Sequence, residues 1–128
     1  MELTDVDIQL DIENINFNSE SFDLILCNHI LEHVLNDNKA ISELHRILNP
    51  SGIAIITVPG NWNREETIEH NQPDLNGHQR DYGLDFLSVL DDIFSRTESI
   101  DLFKYNQSYH LSLGLTLQHD FAFLCHKD

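Results

Sequence analysis

The residues best equipped for chemistry lie in the run His-Ile-Leu-Glu-His at positions 29–33. Their spacing fits the pattern H-x-x-E-H, in which both histidines bind zinc and the glutamate acts as a base. That chemistry requires both histidines on one face of a long helix and a further carboxylate ligand downstream. Here the run directly follows the apolar segment Phe22–Cys27 and therefore occupies a strand-to-helix turn. Zinc hydrolysis remains an alternative function, and we assign no metal ligand from the sequence.

A second group of reactive side chains lies in the long polar segment 60–83, which contains His78, Arg80 and Tyr82. A loop of this length in a compact domain is usually a functional loop or a lid. The segment could therefore be a functional loop or a lid. An equal alternative is that Arg80 only pairs with one of the many carboxylates, an interaction worth little when it is exposed.

Hydrophobic periodicity predicts the elements that must position these residues. The predicted strands are Val6–Asp11, Phe22–Cys27, Ile53–Val58, Ser99–Tyr105 and Asp120–His126, and the predicted helices are Asp37–Leu48, capped by Asn36 or Asp37, and Leu84–Phe94. Strands that alternate with helices predict an α/β fold with a mainly parallel sheet. The last two strands leave no room for a crossover helix, so we expect a C-terminal antiparallel hairpin.

Length and charge narrow the function classes. The 128 residues are enough for a single domain, 1–128, with its own core. Acidic residues outnumber basic ones by 22 to 7, for a net charge of −15. Because affinity for nucleic acids comes largely from Lys and Arg at phosphates, we expect no nucleic-acid partner.

Compartment is indicated by the cysteines and the apolar runs. Cys27 and Cys125 lie within apolar segments, which predicts buried free thiols in a reducing compartment. The longest purely apolar run, Ile53–Ile56, is far shorter than the roughly 20 residues of a membrane-spanning helix. The acidic N-terminal residues show no signal-peptide pattern. We therefore expect a cytoplasmic protein without a membrane partner.

Three stretches, 11–17, 21–34 and 43–52, together resemble the second half of the cofactor-binding domain of class I S-adenosylmethionine-dependent methyltransferases of type 11. The resemblance extends from about Val6 to Lys127. It implies a truncated Rossmann-like fold, S-adenosylmethionine as cofactor and a small-molecule methyl acceptor. It also implies direct displacement at the sulfonium methyl group, in which the protein mainly orients the reactants.

The same resemblance assigns roles to individual residues. Asp11 and Ile12 correspond to the family's adenine contacts, and Cys27 and Asn28 to the residues that line the methionine side of the cofactor. His33 falls at a position suited to a catalytic base.

The family's substrate-facing segments supply the remaining roles. His29 lies in the turn after the strand Phe22–Cys27. His78, Arg80 and Tyr82 match its H-x-R-x-Y-G element, which in that family covers the substrate pocket.

Two features of the family are missing from the sequence. No Gly-x-Gly-x-Gly occurs among the five glycines, and the acidic residue that would bind the ribose is absent. The 128 residues are thus expected to correspond to the part of the family's domain after the glycine-rich loop and to form a partial domain. We predict a methyltransferase-like protein that is inactive alone. The alternative is a non-catalytic binding or regulatory module derived from a methyltransferase.

The missing front half should leave one edge and one face of the sheet uncovered. About half a dozen apolar side chains at roughly 1.5–3 kcal/mol each amount to about 10 kcal/mol of unrealised burial. An uncovered strand edge also invites pairing. We therefore expect a homodimer or a partner chain that covers this face.

Overall fold

The structure, a computed structural model, describes residues 6–102 and 121–128. The strands are β1 (Phe22–Asn28), β2 (Leu48–Thr57), β3 (Ile68–Glu69), β4 (Arg80–Asp81), β5 (Arg96–Asp101) and β6 (Phe121–His126). The helices are a 3-10 helix (Leu31–His33), α1 (Asp37–Ile47) and α2 (Asp85–Ile93). The order of strands and helices agrees with the α/β prediction, and the predicted cap of α1 is confirmed: Asn36 Oδ1 accepts a hydrogen bond from Lys39 N at 3.1 Å.

The main sheet has the strand order β1-β2-β6-β5. Strands β1 and β2 pair in parallel, whereas β6 is antiparallel to both β2 and β5. Three of the four strands therefore run in one direction, and β6 is inserted between two of them in the opposite direction. This arrangement confirms the predicted Rossmann-like α/β fold with a C-terminal antiparallel pair.

The two faces of the sheet differ in burial. On one face, Cys27, Ile56 and Phe123 lie side by side and belong to the core that also includes the buried residues of both helices. The opposite face carries the next residue pairs in the register, Leu26 beside Ile55 and Ile55 beside Leu124. Leu26 is 61% exposed, and Leu24 on the same face is 57% exposed. The predicted apolar, uncovered face at the β1 edge is thus present in the described residues.

Two features differ from the sequence predictions. The predicted strand Val6–Asp11 is wrong: residues 6–10 are exposed and pair with no strand, and Asp11 forms only an isolated bridge to Asn14. Alternation of apolar and polar residues makes a segment suitable for a half-buried strand, but a strand also needs a hydrogen-bonding neighbour. The segment 60–83 is not a plain loop, because β3 and β4 pair within it as a short antiparallel hairpin.

None of the helices among residues 6–102 and 121–128 is long and apolar enough to cross a membrane. The strand predicted over Ser99–Tyr105 overlaps β5, which begins three residues earlier at Arg96 and ends at Asp101, and residues 103–105 of the prediction lie outside the described part of the chain.

Candidate functional site

The turn that follows β1 lies at the carboxyl end of the parallel pair. His29 adopts a left-handed backbone conformation (φ 52°), and its amide donates to the carbonyl of Thr57 at the end of β2, at 3.0 Å. Asn28 Oδ1 accepts a bond of 3.3 Å from the Thr57 hydroxyl. In open α/β sheets, ligands bind outside the carboxyl ends of the strands, so this turn is where a cofactor site is expected.

A second turn, at Asp11, contributes to the surface along the β1 edge of the sheet. Asp11 Oδ1 accepts a hydrogen bond from the amide of Glu13 at 2.9 Å, which fixes a tight turn. Ile12 and Cys27 line one apolar groove of about 270 Å³ along the free edge of β1. Asp11 lines a neighbouring, more polar groove of about 420 Å³. The structure thus places two of the four predicted cofactor residues on one surface, and Asp11 directly beside it.

A carboxylate and a guanidinium of α1 hold this turn against the sheet, a role that the sequence analysis did not assign. Glu43 accepts a bond from the amide of Ile15 at 2.8 Å, and Arg46 donates to the carbonyls of Ile15 and Phe17, both at 2.8 Å. Glu43 and Arg46 also pair with each other at 2.7 Å. The hydrogen bond from Arg46 lowers the pKa of Glu43. An i, i+3 pair of opposite charge on a predicted helix was the available signal, although it did not reveal the backbone partners.

The Cys27 thiol points into the protein interior. Cys27 is 2% exposed, and burial together with the nearby charge of Glu32 raises the pKa of its thiol to about 12. A thiol with that pKa is neutral at physiological pH, so it can contribute only a small apolar surface to the groove.

Three of the predicted site histidines lie around one buried carboxylate. The rings of His33 and His78 pack edge to face with centroids 4.8 Å apart, which joins the 3-10 helix to the segment 60–83. His33 Nδ1 lies 3.1 Å from the carbonyl of Gly77. The third histidine, His29, has its Nδ1 atom 3.8 Å from Oε2 of Glu32. The sequence analysis gave Glu32 no role outside the zinc motif, yet it forms the centre of this cluster.

Arg80 and Tyr82 lie in the protein interior. Both are 2% exposed and make structural contacts, and their predicted substrate-facing role stays a prediction. Arg80 bonds to backbone carbonyls around the 3-10 helix and to Glu69, and the Tyr82 hydroxyl donates to Asp37 at 2.7 Å. Burial and the adjacent Asp37 carboxylate raise the pKa of Tyr82 above its ordinary value.

Comparison with known protein families finds a match to the family described as "Methyltransferase domain" over residues 2–56. This range includes the Asp11 turn, β1 and the 3-10 helix, and it ends near the end of β2. No curated protein sequence matches the chain.

Solved structures share the fold. Burkholderia thailandensis 1,6-didemethyltoxoflavin-N1-methyltransferase, with bound 1,6-didemethyltoxoflavin and S-adenosylhomocysteine, is 16% identical with a TM-score of 0.62, over 94% of this chain and 49% of that one. Haemonchus contortus phosphoethanolamine N-methyltransferase 2, in complex with S-adenosyl-L-methionine, is 15% identical with a TM-score of 0.58, over 92% of this chain and 36% of that one. The [4+2]-cyclase SpnF is 22% identical with a TM-score of 0.56, over 72% of this chain and 32% of that one.

These likenesses concern the fold, since all three identities lie below 25%. The chain spans from about a third to about half of the length of these proteins. One of them is described as a cyclase, which illustrates that a shared fold does not determine the reaction.

Proposed function

We propose that this chain is part of a class I S-adenosylmethionine-dependent methyltransferase and that it provides the adenine-contacting and acceptor-facing parts of a methyl-transfer site. The observation that carries the proposal is that Ile12 and Cys27 line one groove beside Asp11, at the β1 edge of the sheet. All three residues lie within the range that matches the family.

In this proposal Asp11 accepts a hydrogen bond from the adenine amino group, while Ile12 contacts the ring. Asn28 has both a donor and an acceptor for the methionine end of S-adenosylmethionine.

His33 acts as the base in this proposal. If its Nδ1–H donates to the Gly77 carbonyl, the neutral tautomer keeps a lone pair on Nε2, which can accept the proton of the methyl acceptor. Within the described cluster, His29 and His78 are left as the substrate-facing residues.

The groove is too small and too apolar for the whole cofactor. Its volume of about 270 Å³ lies just below the roughly 300–1,000 Å³ of small-molecule sites. No Gly-x-Gly-x-Gly sequence occurs in the 128 residues to supply the backbone amides that would hold the amino-acid end of the cofactor. Catalysis therefore requires a glycine-rich segment from outside these residues, and we predict that these 128 residues alone are inactive.

A chimera tests the proposal directly. We expect no heat of binding when S-adenosylmethionine is titrated to millimolar concentration into the 128-residue chain. Fusion of an N-terminal segment that carries the Gly-x-Gly-x-Gly loop of the family should restore micromolar binding, because it adds the missing contacts. In the chimera, Asp11→Ala should weaken binding about tenfold through loss of one hydrogen bond to the adenine amino group. Isothermal titration calorimetry measures all three.

Asp23→Ala is the matched control, because Asp23 is an exposed aspartate that pairs with Asn49 outside the groove. A folded chimera that does not bind the cofactor would favour the second candidate function, a non-catalytic binding or regulatory module. That candidate is supported by the missing glycine loop. Micromolar binding by the 128-residue chain alone would contradict its predicted inactivity.

We also propose that, in the isolated chain without cofactor or glycine-rich segment, a second copy of the chain occupies the uncovered face at β1, whose Leu24 and Leu26 line the same groove as Ile12 and Cys27. The exposed Leu24 and Leu26 lie on the edge strand, so both the apolar face and the strand's free backbone groups are available for pairing. Light scattering after gel filtration should give a mass at least twice the 14.8 kDa of the chain.

The variant Leu26→Lys should shift this mass to that of the monomer, because a charge at an edge strand opposes pairing. Leu75→Lys adds the same charge at a fully exposed loop position and should leave the mass unchanged. A stable monomer in the unmodified chain would show that the face needs no cover.

A further inference from the structure

Glu32 has an environment that the proposed methyl transfer does not explain. It is 1% exposed, yet neither of its carboxylate oxygens has a hydrogen-bond partner among residues 6–102 and 121–128. A buried carboxylate is costly unless something compensates its charge, and proteins normally use hydrogen bonds, a cation or a metal ion for this purpose. The nearest recorded imidazole nitrogen is Nδ1 of His29, 3.8 Å from Oε2 of Glu32.

Two further imidazoles complete a metal-binding donor set around this carboxylate. Glu32, His33 and His78 each offer one ligand atom, and these atoms lie within 4.8 Å of one another. Two histidines and one carboxylate form a donor set that zinc uses in proteins. We propose that Glu32, His33 and His78 bind a divalent transition-metal ion of the zinc class.

The surroundings of both histidines orient them for this role. A metal-bound histidine usually donates its other ring N–H to a carbonyl or carboxylate, which fixes the ring and its tautomer. His33 Nδ1 lies 3.1 Å from the Gly77 carbonyl, and His78 Nδ1 lies 3.8 Å from a carboxylate oxygen of Asp74. Nε2 of His33 is therefore left for the metal, while the 3.8 Å at His78 exceeds a hydrogen-bond length and leaves both of its ring nitrogens available. Asp74 also accepts a bond of 2.9 Å from the amide of His78, which holds the turn that carries this ligand.

The donor atoms need only a modest adjustment. Ligands about 2.1 Å from a tetrahedral zinc ion are about 3.4 Å apart, compared with the 4.8 Å that bounds the present separations. Side-chain rotation can supply the difference, since His33 is exposed and His78 is half-buried. The fourth position falls to His29 or to water. His29 is exposed and already faces Glu32.

A neighbouring group competes for one of these ligands. Asp74, His78 and Asp81 also lie within ligand distance of one another. That group offers two carboxylates and one imidazole on a more exposed surface, a set suited to harder cations than zinc. It also lacks a buried carboxylate without hydrogen bonds, so the observations favour the Glu32 site. Because the two groups share His78, only their other members can distinguish them.

The metal site competes with the proposed methyl transfer for one atom, Nε2 of His33. A metal ion on His33 Nε2 takes the lone pair that proton transfer would use, so the two functions of this atom exclude each other. The binding test accordingly uses neither S-adenosylmethionine nor a methyl acceptor, and failure of one proposal leaves the other standing.

The test is a titration of Zn²⁺ into the chelator-treated chain by calorimetry, repeated with Co²⁺ and visible absorption spectroscopy. We expect one ion per chain and the intense visible bands of tetrahedral Co²⁺. Glu32→Gln and His33→Ala should each weaken Zn²⁺ binding at least about tenfold, whereas Asp81→Asn and His126→Ala should leave it within about twofold. His126 is the control of matching residue type, since it lies on β6 and pairs with Glu98 of β5, outside the proposed site.

The proposal is overturned if the chain binds no Zn²⁺, or if Glu32→Gln and His33→Ala both bind as tightly as the unmodified chain. It is also overturned if Asp81→Asn weakens binding while Glu32→Gln does not, because the ion would then occupy the outer group. Circular dichroism checks the fold of each variant. The His33 variant keeps the test decisive even if Glu32→Gln fails to fold, because His33 is exposed and its truncation leaves the core intact.

Discussion

Replacement of Arg80 with methionine is expected to lower the free energy of unfolding by about 3–5 kcal/mol. The guanidinium of this 2%-exposed residue donates to the carbonyls of Leu31 at 2.8 Å, Val34 at 2.7 Å and Leu35 at 3.0 Å. It also pairs with Glu69 at 3.0 Å. Methionine can fill part of the volume, but it donates to none of these carbonyls, and within the described part of the chain only the Leu31 carbonyl keeps a recorded donor, the amide of Val34 at 3.2 Å. Breaking a buried charged network by removing one partner is among the most destabilising single substitutions.

Urea unfolding monitored by circular dichroism measures this loss. Arg96→Met is the matched control, because Arg96 is 61% exposed and its pair with Glu98 at 3.0 Å lies on the surface. An exposed pair contributes about 1 kcal/mol or less, so the control should unfold close to the unmodified chain. Equal losses in the two variants would contradict the structural role of Arg80.

The same substitution should affect the candidate site. Arg80 ties β4 to the backbone around the 3-10 helix, and the contact between His33 and His78 bridges the same two segments. The Arg80→Met variant, even if its sheet stays folded, lacks these hydrogen bonds between the two segments. It should therefore also bind Zn²⁺ more weakly. The structural and the chemical roles of the segment 60–83 are linked through this one side chain.

The sequence predicts elements whose signal is local. The helix predicted over Asp37–Leu48 is found at Asp37–Ile47, because its apolar period, its Asn36 cap and the stop at Asn49-Pro50 all lie within the segment itself. The strand predicted over Phe22–Cys27 is found at Phe22–Asn28 for a similar reason, since a continuous apolar run indicates a strand of a parallel sheet. The burial on both faces that the run also predicts is not found, because only Cys27 of this strand is buried.

The candidate site was less predictable, because its burial depends on contacts between segments. The polar sequence around Arg80 predicts an exposed segment. Only the fold shows that three carbonyls about 45–49 positions earlier in the chain surround its guanidinium. Glu32 is likewise a charged residue whose burial no local pattern indicates. The H-x-x-E-H spacing did contain the relevant donors, but a 3-10 helix rather than a long α-helix presents them. The additional ligand, His78, comes from a distant segment.

The second large effect is expected at the two cysteines, which should be nearly inert toward a thiol reagent such as 5,5′-dithiobis(2-nitrobenzoate) in the native chain. Burial raises the pKa of both Cys27 and Cys125 from 9.0 to about 12. At pH 8 this shift lowers the reactive thiolate fraction by roughly 1,000-fold. In 6 M guanidinium chloride both thiols should react rapidly.

The kinetics can also separate the two thiols and test the cover at the β1 edge. Cys27→Ala and Cys125→Ala each leave one thiol, so their native reaction rates can be compared. Cys27 lines the groove at this edge, and Cys125 lies on β6 away from it. If a second copy covers the groove, the rate at Cys27 should fall as protein concentration rises, while the rate at Cys125 stays constant. Fast reaction of either thiol under native conditions would contradict the burial of that cysteine. A reaction rate at Cys27 that does not depend on protein concentration would indicate that no second copy covers the groove.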